Sequence, residues 1–183
     1  MPRPWFCWLT ATRSRRRPEA VGLGATLALA LCACSPGAPP GVDRERLDAA
    51  VSRGVGDPST CVLIGEAGGG RQLYRYNTFA ACSRELPACE GQAVRTASDL
   101  LRRVAGDGQP VMTSCDTAGD ASRGVGWAAG PIEGTDLVYA AVMEGDRALP
   151  GRMMADRLEG VFRRSGVSKP ETQTPPTGTA PSS

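Results

Sequence analysis

The sequence contains no histidine, and Lys169 is the one lysine among its 21 basic residues. Those absences remove two side chains that commonly carry protons in catalysis near neutral pH. Arginine cannot replace them, because a guanidinium does not release its proton in a protein. After residue 34 no C-x-x-C pair occurs either, so zinc-ligand spacing is poor and no metal or other cofactor is expected. The glycine-rich EAGGGRQ at residues 66–72 lacks the Lys-Ser/Thr of a phosphate loop and reads as a hairpin turn. The longest apolar run, residues 20–33, is about 14 residues, against about 20 for a bilayer-spanning helix.

That run does have a meaning. Arg13, Arg15, Arg16 and Arg17 precede it and small residues close it, the order of a secretory signal. Leu31-Cys32-Ala33-Cys34 resembles a bacterial lipobox. The resemblance implies cleavage after Ala33 and a thioether-linked diacylglycerol on Cys34. Two or more acyl chains anchor stably where one is marginal. Ser35 after the lipidated cysteine leans towards an outer-membrane destination. The expected mature chain carries 16 basic and 18 acidic side chains, so the basic balance belonged to the signal. No argument for nucleic-acid binding survives.

Besides Cys34, the expected mature chain keeps Cys61, Cys82, Cys89 and Cys115. An even number of cysteines in an exported domain reads as disulfides. Four cysteines allow three connectivities, and the expectation is Cys61–Cys115 with Cys82–Cys89. The first pair falls on two predicted strands that could lie side by side. The second closes the short loop AACSRELPACEGQ (residues 80–92).

Composition divides the chain into a signal (1–33), a Pro/Gly tether (34–42), one stapled domain (43–165) and a Pro/Thr-rich tail expected to be disordered (166–183). Within the domain, residues 43–53 place Leu47, Ala50 and Val51 on one helical face. TCVLIGE and RQLYRY flank a glycine turn as a hairpin. Val94, Ala97, Leu101, Val104 and Ala105 recur at helical spacing, with Gly106 as a left-handed stop. PVMTSC, GVGWAAG and DLVYAAVME follow as strands, the last apolar on both faces as a central strand should be. A final helix starts at Pro150 with Met154, Leu158, Val161 and Phe162 inward, and Gly166 ends it. The order α-β-β-α-β-β-β-α predicts an α+β domain with a five-stranded antiparallel sheet and packed helices.

TCVLIGEAGGGRQLYRYN, followed by Cys82, Arg84, Pro87 and Ala88 in a Cys-x-Arg-x-x-Pro-Ala pattern, resembles the start of a class D β-lactamase or related penicillin-recognising domain. RGVGWAAGP, DLVYAAVMEGD and the helix to Ser165 resemble its closing strands and helix. The resemblance makes Arg84, Trp127 and Thr117 candidate binding residues. The departures are larger than the matches. Cys89-Glu90-Gly91-Gln92 stands where the family has Ser-x-x-Lys, and Asp116-Thr117-Ala118 where it has Lys-Thr-Gly. The family's long helical insert is reduced to one short helix. Serine-lysine catalysis needs a base beside the nucleophile, and none is present.

Three functions fit these residues. The favoured one is a lipid-anchored, non-catalytic envelope domain that binds a cell-wall fragment or another envelope protein. A second is an enzyme acting on wall peptides or β-lactams through Cys89, whose thiolate would need a depressed pKa. A third is a scaffold module of profilin-like or roadblock-like topology. Trp127, Tyr74, Tyr76 and Tyr139 read as sheet core rather than a sugar-stacking platform. Asp116, Asp120, Glu144 and Asp146 match no specific cation-binding loop.

Overall fold

Asp43 and Thr96 mark two helix starts in the sequence, and both side chains cap. The structure, a computed structural model, describes residues 37–91 and 93–169. The Asp43 carboxylate accepts the Arg46 amide at 2.7 Å and opens α1 (Arg44–Val55). The hairpin β1 (Cys61–Glu66) and β2 (Gln72–Tyr76) follows, then the one-turn helix α2 (Phe79–Cys82). Two-residue strands β3 (Leu86–Pro87) and β4 (Val94–Arg95) pair with each other and lead into α3 (Ala97–Asp107). Thr96 and Asp99 cap α3 reciprocally, satisfying two of the amides that a helix start leaves unpaired. The chain ends as β5 (Val111–Asp116), β6 (Gly124–Pro131), β7 (Leu137–Gly145) and α4 (Gly151–Ser165).

Five strands form one antiparallel sheet in the order β2-β1-β7-β6-β5, with β7 central as its two-faced apolarity requires. Alternation then sorts the side chains. Val62 and Ile64 of β1, with Tyr139, Ala141 and Met143 of β7, pack against α1 and α4. Cys61 and Leu63, with Val138, Ala140, Val142, Val125 and Trp127, pack against α3 on the opposite face. Each fully buried Leu, Ile or Val contributes roughly 1.5–3 kcal/mol, which is why helices cover both faces.

Two glycines let α4 approach the sheet. A Cβ on Gly151 would stand 2.3 Å from the Trp127 carbonyl oxygen and 2.6 Å from that of Thr113. One on Gly126 would meet the Leu149 carbonyl oxygen at 1.9 Å. Backbone therefore touches backbone where α4 begins, and no side chain fits there.

Several expectations need correcting. α3 stops at Gly108, which is left-handed at φ 67°, and not at Gly106, which lies inside the helix. Val94 is 59% exposed and belongs to β4, while Leu100 takes the buried place on α3. The domain also runs past residue 165. Val167 is buried in the α1–α4 core, and the Lys169 amide donates to the Glu133 carbonyl at 3.2 Å. At the other end, the Val42 amide donates to Pro39 in a turn, and Arg44 donates to the Gly37 carbonyl. The last residues assigned to the tether therefore pack on the domain. The expected signal, the expected lipidation site at Cys34 and residues 170–183 of the tail lie outside the described residues.

The disulfide pairing also differs. The bonds are Cys61–Cys82, with Cα atoms 5.1 Å apart, and Cys89–Cys115, at 5.4 Å. Cys61 and Cys115 cannot meet, because β7 and β6 separate β1 from β5. Three strand spacings are about 14 Å, twice what a disulfide reaches. Hairpin register explains the pair that does form. Val62 lies opposite Tyr76, so the chain leaves β2 beside the start of β1. Asn77, left-handed at φ 78°, turns it back, and its side-chain amide donates to the carbonyls of Pro58 and Thr60. Thr78 then caps α2 and delivers Cys82 over Cys61.

Candidate functional site

The loop between α2 and α3, the β5–β6 turn and the end of β7 come together at one end of the sheet. Antiparallel pairing fixes the last two, since Gly124 is opposite both Asp116 and Gly145. Glu144, next to that register point, is 8% exposed. A carboxylate so placed needs partners. Arg123 supplies one from the turn at 2.8 Å, and Arg84 supplies another from the loop at 3.1 Å. The hydrogen bond to Glu144 raises the pKa of Arg123. The two guanidiniums remain half exposed, and the Asp146 carboxylate also acts on Arg123.

Beneath the loop lies Trp127, fully buried on β6, its indole N–H donating to the Pro87 carbonyl at 2.7 Å. Arg95 lies over its ring, 5.2 Å from the centroid, and donates to the Ala88 carbonyl. Burial pulls the pKa of Arg95 down, while Glu90, 3.9 Å away, opposes that shift. Glu90 also faces Arg103 of α3 at 3.5 Å. Cys89, left-handed at φ 63°, completes the attachment through its bond to Cys115 on β5. The loop is thus tied down by a disulfide, an indole hydrogen bond and a buried arginine.

The three predicted binding residues divide accordingly. Arg84 is in the cluster. Thr117 is beside it, its amide donating to the Arg123 carbonyl at 2.8 Å. Trp127 is core, with no surface left for a ligand to stack on. Tyr74 is core too, its hydroxyl donating to Asp48 at 2.7 Å. Cys89 carries no thiol, so the nucleophile that the enzymatic reading needs is absent. Of the four carboxylates weighed as a cation site, Glu144 is committed to two arginines. Asp120 is held below its ordinary pKa by hydrogen bonds from Ser122. Among the described residues no group of three or more metal-ligating side chains comes together.

No pattern in the sequence marks Arg123 or Arg95. Arg123 sits in the polar stretch DASRG, indistinguishable from a solvated turn. Arg95 follows an apolar residue, and its burial depends on Trp127, 32 positions away in the sequence.

No protein-family model, curated protein or solved structure matches the chain. What this protein does must therefore be read from its own residues. The two disulfides fit an oxidising, extracytoplasmic compartment. No helix among the described residues is long and apolar enough to cross a membrane.

Proposed function

We propose that the chain is a lipid-anchored, non-catalytic domain of the cell envelope that binds another envelope protein through the surface around Arg84, Arg123 and Thr117. The observation that carries this reading is the consumption of every described cysteine by disulfides in a chain without histidine. The ordered loop end offers charge and shape but, among the described residues, no free thiol and no imidazole. In the penicillin-recognising reading, a ligand pocket would open between the loop at Cys89 and the strand at Trp127. That junction is filled by the indole, Pro87 and Arg95. Filling favours a protein partner, as in the scaffold-type reading, over a wall fragment. Half-exposed arginines at a rigid surface are common anchors of such contacts.

The lipidated Cys34 rests on the lipobox resemblance, and export on the signal and the disulfides. The intact mass of protein extracted from membranes tests these together. Expected are loss of residues 1–33, an added thioether-linked diacylglycerol with or without a further acyl chain on the new N-terminus, and four fewer protons from two disulfides. For the contact itself, a photo-crosslinker at position 84 should trap one envelope protein in living cells, and Arg123→Glu should abolish the adduct. Cosedimentation with purified cell wall, with no protein adduct, would replace the protein partner by the wall. A penicillin-labelled Cys89 would overturn the non-catalytic reading.

A further inference from the structure

A cavity of about 450 Å³ lies between β5, the β6–β7 turn and α4. It shares no residue with the arginine cluster, and its size is that of small-molecule sites. Its floor is apolar and aromatic: Ile132, Tyr139 and Phe162, the two rings 5.2 Å apart and tilted by 59°. Its rim carries Glu133 from the turn with Asp156 and Glu159 from α4, against Arg152 as the one basic lining residue. Asp156 also borders a shallow groove lined by Arg53, Arg157, Arg163 and Arg164. Glu133 and Glu159 form no ion pair among the described residues, although Arg163 follows Glu159 by one turn of α4 and Lys169 is beside Glu133.

Two further features mark the cavity as built for an occupant. Ser168 lines it, is 9% exposed, and its hydroxyl has no hydrogen-bond partner among the described residues. A buried hydroxyl left alone destabilises a fold, and ligand contact would remove that penalty. Gly130 leaves the space open. A Cβ there would be in ordinary contact with Pro110 at 3.5 Å and Tyr139 at 3.7 Å, so a larger side chain would fill the cavity without a clash at its root. The field inside is negative. Burial first, then Glu159 and Asp156, push the Tyr139 phenol well above its ordinary pKa.

We infer that this cavity binds a small amphipathic amine. Its ammonium group is held by Glu133 and Glu159 and donates to the Ser168 hydroxyl, while its apolar body lies on Tyr139 and Phe162. Negative charge beside an aromatic floor selects an organic cation over a neutral or anionic molecule of the same shape.

Calorimetric titration of the disulfide-intact mature protein with phenethylamine and cyclohexylmethylamine tests this, with 2-phenylethanol and phenylacetate as isosteres. The amines should bind saturably, the alcohol roughly tenfold or more weakly, and the acid not at all. Glu159→Gln should weaken amine binding about tenfold, since a charge-assisted contact becomes a neutral one. Gly130→Val should abolish it with the thermal midpoint little changed. Ser168→Ala should raise the midpoint while weakening the amine, a combination that a purely structural serine would not give. The inference is overturned if neither amine binds below about 10 mM, a Kd of little consequence. Equal binding of the alcohol, or affinities that ignore both Gly130→Val and Glu159→Gln, would overturn it too. None of these outcomes bears on the envelope-protein reading, which concerns other residues.

Discussion

Ala121 shows how the turn at the proposed binding surface is held. It is exposed, and its φ of 56° lies in the left-handed region. An L-residue there is disfavoured by roughly 1–2 kcal/mol, partly offset in glycine by its larger unfolded-state entropy. Ala121→Gly should therefore stabilise the domain by about 0.5–1 kcal/mol in urea unfolding. Charge at this scale sets the acid limit. Asp99 is lowered chiefly by the Thr96 backbone hydrogen bond, and Asp57 chiefly by the Ser59 backbone hydrogen bond. A depressed carboxylate contributes stability above its unfolded value of 3.8 and loses it as pH falls through the lower folded value. Unfolding midpoints should be flat above about pH 5 and fall steadily below pH 4. Asp99→Asn should lower the plateau and flatten that acid limb. A limb unchanged by Asp99→Asn would remove the capping box from the account.

Elements differ in how legible they were. The helical faces of α1 and α4 stand out in the sequence because each buries a periodic set of apolar side chains, and β1, β6 and β7 because they are buried almost continuously. Leu47, Val51, Met154 and Leu158 are at the positions expected, and all four are buried. The loop between α2 and α3 was opaque, because β3 and β4 have two residues each and no period. What orders it is distant: Trp127, Cys115 and Glu144 all lie on later strands. Close backbone approach leaves just as little trace, and Gly126 reads like any strand glycine until α4 is seen resting on it. Gly151→Ala should cost at least about 2–3 kcal/mol, since the new methyl meets carbonyl oxygens that cannot move independently of the sheet. Gly106→Ala, inside α3 with open space around the Cβ, should instead stabilise by up to about 1 kcal/mol. Paired thermal melts of the two variants should shift in opposite directions.

At the scale of the whole molecule, the disulfides close loops that the sheet alone leaves loose. Cys61–Cys82 spans 21 positions and Cys89–Cys115 spans 26, so each contributes about 3–4 kcal/mol in the chain-entropy model. Together that rivals the net stability of a small domain, and reduction should unfold much of the population at 37 °C. The connectivity has a direct test, because arginines separate all four cysteines. Trypsin, without reduction, should leave peptide 54–71 joined to 76–84, and peptide 85–95 joined to 104–123. The pairing expected from the sequence would join 54–71 to 104–123 and 76–84 to 85–95, giving different masses. The order of strands in the sheet decides between them. If β7 and β6 stand between β1 and β5, the second pattern requires a sheet torn open, and finding it would refute the strand order itself.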